Sequence, residues 1–269
     1  MKKIIISSNS AWNIINFRLD LINKLQQNNF KVIVLVPFDE DVAFLKRLNL
    51  DLININLEPR NLSLFKNIYL IYQFYKIFKY VEPDFFLGYT VKPNVFGSIA
   101  ASFISKIKIC NNISGLGTFY FSNFFFRYFI INLYKIALRK SSLIFFQNED
   151  DKIFFLNKKI IKFQKNQVIN GSGVDINLYP YTQLPKKINS NLIFSFISRL
   201  IIDKGVMEFI EAAKIIKNKY PDVSFNIVGK LDASNSKSLN QDFFDQHLKE
   251  NVFNYFKFEK NILPFIQKS

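Results

Sequence analysis

The feature that most constrains this chain is a repeated alternation: short runs of β-branched and apolar residues separated by longer stretches with helical spacing. Strands are expected at 3–8, 31–36, 52–57, 84–89, 108–112 and 143–147. Between them, helices are expected near 14–28, 39–48, 63–80, 94–105 and 119–140. Ile14, Phe17, Leu21, Ile22 and Leu25 carry the i, i+3, i+4 spacing of an amphipathic helix. Strands that alternate with helices predict an α/β fold with a parallel, doubly wound sheet.

The rhythm breaks at DINLYPYTQLPKKINS, residues 175–190, a polar stretch with two prolines and no apolar period. It restarts with strands at 192–198, 223–228 and 253–258 and helices at 206–219 and 236–250. The expected organisation is a Rossmann-like domain over residues 1–175, a linker over 176–190, and a second, smaller Rossmann-like domain over 191–269, read as incomplete.

Composition narrows the chemistry. Cys110 is the single cysteine and His247 the single histidine. That excludes an intramolecular disulfide framework and leaves too few soft ligands for an ordinary zinc site. His247, between Asp245 and Lys249, reads as a solvated surface histidine. The apolar run Ile4–Ile6 is too short for a secretory h-region, so a cytoplasmic chain is expected. Arg127 and Lys135 interrupt the aromatic segment 119–138, which reads as core or as a membrane-facing helix rather than a span.

The net charge of +15 has two sources to weigh. Lys, Asn, Ile, Phe and Tyr abound together, as codon bias would produce. An anionic partner is the alternative, and scattered lysines without a nucleic-acid motif favour a membrane surface over specific nucleic acid.

The segment Ser198-Arg-Leu-Ile-Ile-Asp-Lys-Gly205 lies at a strand's carboxyl end and leads into a helix. Ligands bind at that edge of doubly wound sheets. Arg199 offers a planar donor fork, Lys204 a compact ammonium, and Gly205 a helix start, a set suited to a diphosphate. The spacing alone is equally that of a solvated turn.

Several ordered pieces resolve the choice: WNIINFR at 12–18, YTVKPNVFG at 89–97, NISGLG at 112–117, FQNEDD at 146–151, NGSGVD at 170–175, SRL…DKG at 198–205 and IVG at 227–229. With them the chain resembles the family-4 retaining glycosyltransferases of the GT-B fold, especially those that build bacterial surface glycans on a lipid carrier. The resemblance implies transfer of a sugar from a nucleotide-diphosphate donor, with retained anomeric configuration, to a lipid-diphosphate-linked or other saccharide acceptor at the inner membrane surface, and no metal cofactor. It implies that Arg199 and Lys204 act on the donor diphosphate, with Gly205, Gly229 and Lys230 also on the donor side. On the acceptor side it implies Asn9, Ser10, Asn13, Lys92, Gly115 and Gly117.

The first loop lacks the family's paired glycines, and an ordinary turn capped by Asn13 is as good a reading there. The Glu-x7-Glu motif of relatives is missing, since Glu250 and Glu259 do not supply it. A truncated member is therefore expected. Two alternatives stay open: an inactive remnant that serves only as a binding module, and a basic membrane-associating protein.

Overall fold

Apolar runs become strands and the helical stretches cover them in the computed structural model, which describes residues 1–59, 61–116, 123–181, 183, 192–231, 237–257 and 261–269. The chain divides into two units, Met1–Asp175 and Ile176–Ser269.

The first unit holds β1 (Lys2–Ser7), β2 (Phe30–Val36), β3 (Asp51–Asn54), β4 (Phe85–Tyr89), β5 (Lys108–Ile113), β6 (Ser141–Phe146) and β7 (Lys165–Val168). They form one sheet in the order β3-β2-β1-β4-β5-β6-β7, with every neighbouring pair parallel. Ile4, Ile5 and Ile6 are all buried because helices cover both faces of the sheet. Successive side chains point to opposite faces, so Ile5 joins one core cluster with Phe74, Phe86 and Phe146, while Ile4 and Ile6 join another with Ile14 and Ile22. The chain winds outward from β1 to β3 and then returns to the other side of β1 as β4. That reversal makes the carboxyl ends of β1 and β4 the topological switch point, where such sheets bind ligands.

The helices of this unit are α1 (Ala11–Phe17), α2 (Leu19–Gln27), α3 (Val42–Arg47), α4 (Leu64–Val81), α5 (Ser98–Ser102), α6 (Phe124–Leu138) and α7 (Glu149–Asn157). The helix expected over 14–28 starts earlier and is two helices, broken at Arg18. The one expected over 94–105 is a π-helical turn, Pro93–Gly97, followed by α5. A buried amide network holds that turn to the sheet. Asn94 Nδ2 donates to the Asn112 carbonyl at 2.8 Å, and Asn111 Nδ2 donates to Asn94 Oδ1 at 2.9 Å and Ser98 Oγ at 2.8 Å. Two further elements were not anticipated as such. These are α7, capped by Asn148 accepting from the Asp151 amide, and the short strand β7.

The second unit has β8 (Ile193–Ile197), β9 (Ser224–Val228) and β10 (Asn254–Phe256), all parallel in the order β10-β9-β8. Its helices are α8 (Val206–Lys219), α9 (Gln241–Lys249) and α10 (Leu263–Lys268), around a core that includes Leu200, Ile210, Phe225, Ile227 and Phe244. The polar helix expected from 236 is thus shorter, starting where Asn240 caps it.

His247 corrects an expectation. It is buried rather than solvated, its ring 4.1 Å from that of Phe243 and its Nδ1 2.7 Å from the Phe243 carbonyl oxygen. The helical period puts it on the face of Phe243 and Phe244, and core packing outweighs its polar sequence neighbours. That contact makes Nδ1 the protonated nitrogen, while Nε2 is buried without a partner among the described residues.

Among the described residues, no helix is long and apolar enough to cross a membrane. The aromatic segment divides along its length. Ile131, Tyr134, Ala137 and Leu138 of α6 are buried, whereas Phe124, Phe125, Tyr128 and Phe129 are exposed. Its residues 119–122 lie outside the described residues.

Candidate functional site

In the second unit the carboxyl edge of β8 continues into Ser198 and Arg199, then a 3₁₀ turn, Ile202–Lys204, and Gly205 at the start of α8. Leu200 is fully buried and anchors the segment, and its amide donates to the Lys230 carbonyl at 3.2 Å. Arg199, Lys204 and Lys230 are exposed on this edge, and among the described residues none has an ion pair. Asp203, between Arg199 and Lys204, is occupied by Lys237 Nζ at 2.7 Å. Exposed cations beside a helix start are groups of the kind that attract an anion.

Two glycines here have separate reasons. Gly205 takes φ +81°, a left-handed conformation that a side chain disfavours. At Gly229 a Cβ atom would stand 1.8 Å from the Ser198 carbonyl oxygen, so the backbones approach too closely for any side chain. The structure thus gathers Arg199, Lys204, Gly205, Gly229 and Lys230 at one sheet edge.

In the first unit, the acceptor-side candidates Asn9, Ser10, Asn13 and Lys92 follow β1 and β4 at the switch point. Ser10, not Asn13, caps α1: its Oγ accepts from the Asn13 amide at 3.2 Å. The Asn13 side chain instead accepts from Ser8 Oγ at 2.9 Å, because it points back across the turn. Asn9 is half-buried and has no side-chain hydrogen bond among the described residues.

Lys92 is only 8% exposed, and its Nζ donates to the Asn61 carbonyl at 2.7 Å and to Asn67 Oδ1 at 2.9 Å. Burial lowers its pKa from the ordinary lysine value, with Glu58 opposing. Two of its three donors are therefore engaged by the protein. Gly115 follows β5 with φ +151° and open space around it, while Gly117 lies outside the described residues. Beside Lys92, Thr90 holds φ +63°, a strained conformation for a β-branched residue of the kind that clusters at functional sites.

One residue at this edge was quoted in a motif but given no role. Arg18, at the α1–α2 break, is buried, with its guanidinium carbon 4.0 Å from the Tyr89 ring centroid. Its Nη2 donates to Ser172 Oγ at 3.2 Å. The signal available was an arginine that interrupts an apolar period.

The model of the glycosyl transferase 4-like family matches residues 3–148, more than half of the chain. The chain belongs to this family. A relative from Campylobacter jejuni, an N,N'-diacetylbacillosaminyl-diphospho-undecaprenol alpha-1,3-N-acetylgalactosaminyltransferase, is 29% identical over 245 residues, 85% of this chain and 64% of that protein. The capsular polysaccharide biosynthesis glycosyltransferase CapM of Staphylococcus aureus is 24% identical over 187 residues, 66% of this chain and 49% of CapM. The chain thus spans from about half to just under two thirds of these relatives.

Among solved structures, a glycosyltransferase from Rickettsia africae matches the whole chain and 71% of its own, with a TM-score of 0.71 at 16% identity. The S. aureus MnaA–UDP structure matches all of this chain and 73% of its own, with a TM-score of 0.63 at 15% identity. At such identities these likenesses establish the fold, which is GT-B with Rossmann-like units.

Proposed function

We propose that this chain is a glycosyltransferase that moves a sugar from a nucleotide-diphosphate donor to a lipid-diphosphate-linked saccharide in surface-glycan synthesis, with retention at the anomeric carbon. The observation that carries the reading is the edge of the second unit, where Arg199 and Lys204 stand exposed and without ion pairs among the described residues, next to the Gly205 helix start. As the sugar–phosphate bond breaks, negative charge grows on the leaving diphosphate while the sugar becomes oxocarbenium-like. Two fixed cations stabilise that charge more than they stabilise the ground state, which lowers the barrier. In this reading the protein's own cations, rather than a metal, hold the leaving group.

The activities of the two relatives, one on a diphospho-undecaprenol acceptor and one in capsule synthesis, support the acceptor class. The exposed aromatics of α6, with Arg127 beside them, suit the surface of an anionic membrane from which such an acceptor would be taken. The chain would then act from the cytoplasmic face of the inner membrane.

The test is transfer of radiolabelled sugar, or hydrolysis of the donor, by the purified chain. Arg199→Ala and Lys204→Ala should each lower the rate by about 100-fold or more, as loss of one transition-state donor does. Unchanged rates in both variants, or a chain that binds acceptor but no donor, would refute the reading.

A further inference from the structure

Arg18 is nine-tenths buried, with 7% exposure, yet among the described residues it has no carboxylate partner. Its guanidinium brings five N–H donors and, among the described residues, makes one hydrogen bond, from Nη2 to Ser172 Oγ. Nε is buried and has no partner among the described residues. Burying an unpaired cation is costly, and the Tyr89 face 4.0 Å away offsets only part of that cost.

The surroundings are rich in donors. Ser172 Oγ also accepts from Gln147 Nε2 at 3.0 Å, so its own proton is left to donate. Gln147 Nε2 in turn lies 3.4 Å from Asn112 Oδ1. Tyr89 ends β4, Asn112 lies near the end of β5, Gln147 follows β6 and Ser172 follows β7, so the cluster sits at the carboxyl edge of the first unit's sheet. A fixed cation, a free hydroxyl proton and a strained Thr90 beside Tyr89, with no carboxylate on the guanidinium, describe a site for an incoming anion.

From this cluster, none of whose members the acceptor-side assignment used, we propose that Arg18 binds a phosphoryl oxygen of the acceptor's diphosphate, and that Ser172 and Tyr89 position its guanidinium. The assignment deepens the glycosyltransferase reading and rests on it for the identity of the anion. Arg18 is a binding residue here, and Ser172 a positioning one.

The test uses the full chain carrying Arg199→Ala and Lys204→Ala, so that the donor cations cannot hold the probe. Calorimetric titration with inorganic diphosphate and with a short-prenyl diphosphate N-acetylhexosamine should show binding, tighter for the prenyl probe. Adding Arg18→Met should weaken it at least tenfold. Arg18→Lys, which keeps the charge and loses the planar fork, should fall between, and Ser172→Ala should weaken binding severalfold.

Thermal unfolding without ligand reads any structural effect separately, and if Arg18→Met does not fold, Arg18→Lys and Ser172→Ala carry the test. Unchanged affinity in the folded variants overturns the proposal, as does equal affinity for the two probes, which would mark a site for free anion. Failure of the glycosyltransferase reading would show elsewhere, as donor binding by the parent chain that ignores Arg199 and Lys204.

Discussion

Replacing Gly229 by alanine puts a methyl carbon 1.8 Å from the Ser198 carbonyl oxygen and 3.3 Å from Leu200 Cδ2. Ordinary contact begins near 3.4 Å, so the ends of β8 and β9 must part by roughly 1.6 Å along the closer line. The obstacle is backbone, and no rotamer change relieves it. Two hydrogen bonds span the same gap, Ser198 N to the Val228 carbonyl at 3.1 Å and Leu200 N to the Lys230 carbonyl at 3.2 Å. Separation on this scale breaks both, at about 1 kcal/mol each, and residual strain of up to about 2 kcal/mol brings the total to about 2–4 kcal/mol. At a factor of ten per roughly 1.4 kcal/mol, amides of β8 and β9 should exchange roughly 30- to 700-fold faster. Hydrogen exchange by mass spectrometry measures this on peptides covering 193–200 and 224–231, with β1 as the internal reference. Protection within about threefold of the parent chain would refute the steric argument, because then the strands can open at that edge without cost.

Gly205→Ala has open space, its nearest atom being Glu208 Oε2 at 3.8 Å, and pays only the left-handed φ of +81°. It should destabilise by about 1–2 kcal/mol, measurable by urea unfolding, and a larger loss would mean the space is not open. Burial raises the Cys110 thiol pKa above its ordinary 9.0, with Lys108 opposing. Iodoacetamide at pH 8 should therefore label the folded chain far more slowly than the urea-unfolded chain, and equal rates would contradict the burial. The same shift has a stability sign: the raised folded pKa leaves the unfolded state to ionise first, so its contribution is full below about pH 9 and declines as pH rises through the folded value. Changing Phe124, Phe125, Tyr128 and Phe129 together to serine should abolish co-sedimentation with vesicles rich in anionic lipid, and unchanged sedimentation would remove the membrane surface from the proposed function.

What could be read in advance follows from how far apart the cooperating residues lie. The central strands were legible because a parallel strand buried on both faces is a plain apolar run, as Ile4–Ile6 and Val32–Val36 are. The grouping of residues at the second unit's edge was legible for a related reason. Arg199, Lys204 and Gly205 lie within seven residues, between a strand end and a helix start. The break in the first helix was not legible, because Arg18 turns inward toward Tyr89 and toward Ser172, the latter 154 residues away. Nor was the burial of Lys92, whose partners Asn61 and Asn67 precede it by 31 and 25 residues. The two edges therefore differ in how they are built. The second unit's edge is one compact segment held against the end of β9, while the first unit's edge is assembled from the ends of β4, β5, β6 and β7 and depends on the register of the whole sheet. Substitutions that shift that register, even far from Arg18, should perturb acceptor binding before they perturb donor binding.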